Sequence, residues 1–181
     1  PYEDWRHSPE ARAADLAARL SLEEKAGLMV VGSPSNNAPM GQPATGYDPA
    51  ATAMMLGQRH VTHLISRLST RTDQLAAANN AVQMMAENGR WGIPALVMTD
   101  PRHGYTELAG ASVAGGQFSQ WPNGVGLAAL ADPAFVETYA ALVREDLRAA
   151  GFAMLLGPQI DLATEPRWPR NFDTLGEDAQ I

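Results

Sequence analysis

The sequence contains no cysteine, and this absence removes several kinds of site at once. A disulfide framework, a thiolate metal centre and a cysteine nucleophile are all excluded. Lysine is nearly absent as well, because Lys25 is the only one and every other fixed positive charge is an arginine. Arginine suits fixed, planar recognition of carboxylates and hydroxyls. Compositional drift explains the same bias at least as well, so it indicates no particular ligand.

Basic stripes and long apolar runs are missing too. The chain has 181 residues and a formal net charge of −7, so we expect no nucleic-acid partner. No apolar run reaches the roughly 18 residues of a membrane helix, so we expect no membrane span. Hydrophobic residues make up 45% of the chain and charged residues 18%, which is typical of a globular protein with one core.

Common catalytic motifs are absent as well. The sequence has no GxSxG, no GxxxxGK[ST] and no HExxH. The glycines between 104 and 116 do not form GxGxxG and do not open directly onto a helix, so an enzyme acting on a phosphorylated ligand is unsupported. His60 and His63 form an HxxH pair, but no acidic third ligand lies nearby in the sequence. We therefore predict no metal and no cofactor.

Helix and strand signals alternate along the chain. Ser8, Ser21 and Asp132 each stand where an N-cap is expected, ahead of a run of helix formers. The clearest strands are apolar stretches: VTHLISRL at 61–68, IPALVMTD at 93–100 and FAMLLGPQID at 152–161. Continuous apolar strands separated by helices predict a parallel α/β sheet. The long polar segments 33–50 and 101–124 are predicted to be loops.

Polar clusters follow two of these strands. Asp100 ends the strand at 93–100 and is followed by Arg102 and His103, whereas the segment EPRWPR at 165–170 follows the strand at 152–161. Functional residues of parallel α/β folds gather beyond the carboxyl ends of the strands, on one side of the sheet. A carboxylate, arginines and an aromatic ring together suit a polyhydroxylated ligand. The pattern therefore predicts a sugar-binding site.

Each of these residues also has a purely structural interpretation. Asp100 has the position of a turn former or helix cap, and His103 that of a loop histidine. Trp168 is more readily explained by packing than by stacking on a sugar. Arg170 has three nearby carboxylates with which it can form a structural ion pair: Asp173, Glu177 and Asp178.

Four segments together carry a family resemblance. They are LAARLSLEEKAGLM, IPALVMTDPRHG, FSQWPNGVGLAALADPAFV and EPRWPRNFDTLGED, in that order along nearly the whole chain. With them the chain resembles the N-terminal part of glycoside hydrolase family 3, the β-glucosidase type. Two positions depart from the family pattern: Pro169 replaces a usual glycine, and Arg102 replaces an acidic or small residue.

The resemblance implies an α/β fold, namely the first part of a (β/α)8 TIM-type barrel. A complete barrel needs roughly 250 residues, so we expect residues 1–181 to be the N-terminal portion of the barrel domain, truncated after Ile181. The remainder of the barrel and a second domain would lie outside this chain. The resemblance assigns Asp100 and Arg170 to the binding of sugar hydroxyls. It places the nucleophile and the acid/base residue beyond Ile181, so no catalytic residue is expected here.

The function implied is that of a retaining, exo-acting β-glycosidase that hydrolyses terminal non-reducing β-D-glycosyl residues. Its expected partners are an oligosaccharide or β-glycoside substrate and the remaining part of the barrel. This fragment alone is expected to be inactive, and the expected location is periplasmic or secreted. The alternative is a non-catalytic sugar-binding or scaffold protein with a truncated barrel. Sugar binding by a stable monomer without hydrolysis would favour that alternative.

Overall fold

The structure is a computed structural model that describes residues 2–34, 42–100, 103 and 118–180. Helices and strands alternate through most of these ranges. In chain order they are α1 (Pro9–Arg19), α2 (Leu22–Leu28), β1 (Val31–Gly32), α3 (Pro49–Gly57), β2 (His63–Ile65), α4 (Thr72–Glu87), β3 (Leu96–Thr99), α5 (Gly124–Ala128), α6 (Pro133–Ala149), β4 (Met154–Leu155) and a 3-10 turn (Asn171–Asp173).

The four strands form one parallel sheet in the order β1-β2-β3-β4. Strands that are parallel and sequential, with helices between them, are the arrangement of the first part of a (β/α)8 barrel. The predicted α/β fold class is therefore confirmed. β4 is shorter than the predicted strand at 152–161, because only Met154 and Leu155 pair with β3, which itself ends at Thr99.

Side-chain caps begin the helices where the sequence predicts them. Ser8, Ser21 and Asp132 each accept a hydrogen bond from the backbone N–H three residues further on, at 3.1–3.2 Å. Glu24 completes a capping box by accepting from the Ser21 N–H at 2.8 Å. Asp48 provides a further cap, so α3 begins at Pro49, within the last two residues of the predicted loop at 33–50.

The core lies between the sheet and the helices that pack against it. Its largest side chains are fully or almost fully buried: Leu64, Leu68, Leu75, Val82, Val97, Val143, Leu147 and Phe152. Burial of one such aliphatic or aromatic side chain contributes about 1.5–3 kcal/mol. Apolar burial therefore holds α4 and α6 against the strands.

One buried polar side chain links three parts of the chain. Asn79 of α4 accepts a hydrogen bond from the Tyr47 hydroxyl at 2.6 Å and donates to the carbonyl oxygen of Ala150 at 2.8 Å. Gly151 follows in a left-handed conformation, and a Cβ there would lie 3.2 Å from Cβ of Asn79. These contacts fix the end of α6, from which the chain enters β4.

Both outer strands leave apolar side chains exposed. Val31 of β1 is 52% exposed and Met154 of β4 is 45% exposed, as expected for the two edge strands of an open sheet. Within the described ranges, no helix is long and apolar enough to cross a membrane.

Candidate functional site

A cavity of about 500 Å³ opens at the carboxyl ends of β3 and β4. Its walls come from distant parts of the chain. Asp100 follows β3, residues 156–161 follow β4, residues 122–124 lead into α5, and Arg170 precedes the 3-10 turn. The structure thus brings Asp100 and Arg170 to one cavity at the expected end of the sheet.

Contacts of the preceding residue, Thr99, and of Arg67 position Asp100 at the cavity. Thr99 is fully buried, and its hydroxyl donates to the carbonyl oxygen of Ser66 at 3.2 Å, which ties the ends of β2 and β3 together. Oδ2 of Asp100 lies 4.0 Å from Nη2 of Arg67. The Asp100 side chain is 26% exposed and so remains open to the cavity.

Sequence reasoning missed Arg67, although the sheet register contains the signal for it. Ile65 of β2 pairs with Met98 of β3. Two residues further along each strand, the same offset aligns Arg67 with Asp100. Arg67 and Asp100 follow neighbouring parallel strands, so their contact can be predicted only when the register of those two strands is known.

Arg170 lines the cavity and also forms one of the ion pairs that the sequence offered. Its Nη2 lies 3.4 Å from Oδ2 of Asp173, and 57% of its side chain is exposed. Both residues line the cavity. The structural ion pair and a position at the cavity therefore occur together, and a guanidinium that is more than half exposed keeps donors available for a ligand.

Two other residues of the segment EPRWPR, Arg167 and Trp168, do not line the cavity. Arg167 points to Glu165, to which it donates hydrogen bonds from its backbone N–H, Nε and Nη2. These bonds lower the pKa of Glu165 to about 2. Among the described residues that line the cavity, neither Arg167 nor Trp168 is found. The Trp168 side chain is half-buried.

Backbone contacts fix the segment that carries Arg170. A Cβ at Gly124 would lie 2.6 Å from the carbonyl oxygen of Thr174 and 2.7 Å from that of Asp173. Only glycine allows α5 to approach the 3-10 turn so closely. Gln159 and Thr174 also form a parallel bridge, which joins the segment after β4 to the same turn.

His103 is buried beside the cavity, with only 3% of its surface exposed. Its Nε2 lies 3.4 Å from Oδ2 of Asp146, in a geometry that does not make a hydrogen bond. Burial lowers the pKa of His103, and the nearby Asp146 charge opposes that shift. The pKa of Asp146 is also lowered: burial raises it, but hydrogen bonds from Ser119 and the interaction with His103 outweigh that effect.

Two further predicted positions lie apart from this arrangement. Arg102 is outside the described residues. His60 adopts a left-handed conformation with φ of 56° and lines a different cavity, beside α2 and the end of α4. In the described part of the chain, no group of three or more histidine, aspartate or glutamate side chains could hold a metal ion.

The cavity combines hydrogen-bonding groups with apolar surface. Carboxylate and guanidinium groups come from Asp100 and Arg170, and amides come from Asn123 and Gln159. Apolar and aromatic surface comes from Leu127, Tyr139 and Phe172. Hydroxyl groups need both acceptors and donors, and a pyranose ring has apolar faces, so the lining suits a neutral polyhydroxylated ligand.

Comparisons with known proteins agree with this geometry. The family model "Glycosyl hydrolase family 3 N terminal domain" matches residues 21–181. The chain is 46% identical over 182 residues to a periplasmic β-glucosidase/β-xylosidase of Dickeya chrysanthemi, covering 100% of this chain and 28% of that protein. It is 39% identical to β-glucosidase C of Emericella nidulans, covering 99% of this chain and 29% of that protein.

A solved structure supports the same assignment. A β-glucosidase from Erythrobacter marinus superposes with a TM-score of 0.74 at 27% sequence identity, covering 98% of this chain and 22% of that one. The chain thus spans less than a third of the length of each of these three relatives. A family match over nearly the whole chain, together with the parallel α/β sheet, shows that the chain belongs to glycoside hydrolase family 3, and residues 21–181 match the family's N-terminal domain.

Proposed function

We propose that the chain supplies a sugar-binding part of a retaining, exo-acting β-glycosidase. The enzyme would hydrolyse terminal non-reducing β-D-glycosyl residues of oligosaccharides or glycosides. Family membership and two relatives named as β-glucosidases support this activity. The observation that carries it is the presence of Asp100 and Arg170 on one cavity at the carboxyl ends of the strands.

In this proposal Asp100 and Arg170 bind the terminal sugar. The Asp100 carboxylate accepts hydrogen bonds from two hydroxyls, and the Arg170 guanidinium donates to another. Arg67 lies 4.0 Å from Asp100 and helps to orient that carboxylate. Hydrogen bonds to sugar hydroxyls accelerate the reaction when they strengthen as the ring flattens towards the transition state.

Bond cleavage itself is assigned to groups outside this chain. In the retaining mechanism a carboxylate attacks the anomeric carbon while an acid protonates the leaving oxygen, and water then releases the sugar. We place the nucleophile and the acid/base residue in another part of the protein, and we assign no catalytic residue within 1–181. The remainder of the barrel is therefore the required partner of this domain.

We also propose that the protein acts outside the cytoplasm. The support is the Dickeya chrysanthemi relative, which is named as periplasmic. Fractionation of cells that produce the protein, with the activity measured in each fraction, tests the location.

The activity is tested by assaying the full-length protein on a panel of aryl β-glucosides, β-xylosides and N-acetyl-β-glucosaminides. We expect hydrolysis of at least the β-glucoside or the β-xyloside. Proton NMR during the reaction should show the β-anomer of the sugar first. Sugar binding without hydrolysis would indicate a non-catalytic sugar-binding protein, and initial release of the α-anomer would contradict the retaining mechanism.

A further inference from the structure

We propose that Asp146 is a positioning residue that holds together the two segments flanking the sugar cavity. One segment contains His103, three residues after Asp100. The other, at 118–121, leads directly into the cavity wall at 122–124. The inference deepens the proposed function and rests on it, because it takes the cavity to be the sugar site.

Asp146 contacts both segments from α6. Its Oδ2 accepts hydrogen bonds from the backbone N–H of Ser119 at 3.0 Å and from the Ser119 hydroxyl at 2.6 Å. The same oxygen lies 3.4 Å from Nε2 of His103. One carboxylate oxygen therefore bonds to the segment that precedes α5 and contacts the segment that follows β3.

The segments also meet each other directly. The backbone N–H of Trp121 donates to the carbonyl oxygen of His103, and the Trp121 indole N–H donates to the Ser119 hydroxyl at 3.0 Å. The His103 ring packs against Phe118 with ring centroids 5.4 Å apart. The Asp146 carboxylate contacts both Ser119 and His103, so it is the polar centre of the cluster.

The location of Asp146 within α6 is unfavourable in isolation. Aspartate has a low helix propensity, and Asp146 lies in the last turn of a helix that ends at Ala149, where the helix dipole disfavours negative charge. An aspartate that is unfavourable for its own helix indicates a favourable contact with another part of the structure. Here that contact is with Ser119 and His103.

The test uses the full-length protein with Asp146→Ala, Asp146→Asn and Ser119→Ala. Glu145→Ala is the matched control, because Glu145 is the preceding residue of α6, is 66% exposed and lies 3.8 Å from the exposed Arg144. For Asp146→Ala we expect kcat/KM on an aryl β-glucoside to fall about 10- to 100-fold through a higher KM. Small displacements of groups that position the substrate cause losses of this size. Asp146→Asn should recover part of the loss, because its amide oxygen still accepts from Ser119.

A second readout does not depend on sugar. The indole N–H resonance of Trp121 reports its bond to Ser119 and should shift in Asp146→Ala and Ser119→Ala, but not in Glu145→Ala.

If Asp146→Ala fails to fold, Asp146→Asn and Ser119→Ala give the same comparison. An unchanged KM in folded variants, with only a lower Tm, would overturn the inference. Absence of any β-glycoside binding or hydrolysis by the wild-type protein would instead refute the proposed function, and the Trp121 resonance would then decide whether Asp146 organises the two segments.

Discussion

Arg67 and Asp100 lie beyond the ends of neighbouring strands, with Nη2 of the arginine 4.0 Å from Oδ2 of the aspartate. The two side chains are 37% and 26% exposed, so solvent screens the pair only in part. Partly exposed ion pairs of this kind contribute about 0.2–1 kcal/mol. The contact therefore orients Asp100 more than it stabilises the fold.

Replacement of Arg67 should weaken sugar binding modestly without unfolding the protein. For Arg67→Met we expect kcat/KM on an aryl β-glucoside to fall about 2- to 5-fold. This factor corresponds to the free energy that one partly exposed ion pair contributes. Arg67→Lys keeps the charge and should lose less. Steady-state kinetics measures the effect, and a loss as large as that of an Asp100 variant would show that Arg67 itself binds substrate.

Replacement of Asp100 should have a much larger effect. In the proposed sugar site Asp100→Ala removes an acceptor for two hydroxyls, and hydrogen bonds to a charged group are worth about 1.5–3 kcal/mol each. We therefore expect kcat/KM to fall about 10²- to 10⁴-fold. Asp73→Asn is the control, because Asp73 is an exposed carboxylate that pairs with Arg71 and does not line the cavity. Near-normal turnover by Asp100→Ala would refute the assignment.

A methyl group at Gly124 should disturb the segment that carries Arg170. Because the added Cβ would lie 2.6 Å from the carbonyl oxygen of Thr174, α5 and the 3-10 turn must move apart. We expect Gly124→Ala to lower the free energy of unfolding by about 1–3 kcal/mol and to raise KM.

Gly57→Ala is the matched control for this substitution. Gly57 is also helical, but a Cβ there would meet nothing within 4 Å. The control should be neutral or stabilising by up to about 1 kcal/mol. Thermal unfolding of both variants checks the prediction, and equal Tm values would contradict it.

The buried His103 should make stability depend on pH. Burial lowers its pKa below the ordinary value of 6.5 even though Asp146 opposes the shift. Below about 6.5 the unfolded chain therefore binds more protons at this residue than the folded chain does. The free energy of unfolding should rise with pH through this window and lose that dependence above it.

Urea unfolding between pH 5 and pH 8 measures this slope. His103→Asn should flatten the slope below about pH 6.5, since the titrating group is gone. His7→Asn is the control, because His7 is an exposed histidine that lies 3.8 Å from Asp4. An identical slope in wild type and His103→Asn would contradict the prediction.

Local signals predicted much of the fold. The caps at Ser8, Ser21 and Asp132 depend on residues within one helical turn, so the sequence alone indicates them. The parallel sheet follows from the alternation of apolar strands with helices. The predicted strand at 152–161 was too long, because its apolar character extends on both sides beyond Met154 and Leu155, the two residues that pair with β3.

The site was predictable only in part. Asp100 and Arg170 directly follow strand and motif signals, and the structure brings both to one cavity. Asp146 lies inside a helix, and its partners Ser119 and His103 are distant in sequence. Contacts of this kind arise from tertiary packing and leave no periodic pattern. The register that aligns Arg67 with Asp100 is likewise visible only once the sheet has formed.

The most direct test of the account is a crystal structure of the full-length protein with glucose, or xylose where kinetics favours it, bound at the carboxyl ends of the strands. We predict that the Asp100 carboxylate and the Arg170 guanidinium both lie within about 3.2 Å of hydroxyls of one sugar ring. A sugar bound by neither residue, or bound at the opposite end of the sheet, would contradict the account.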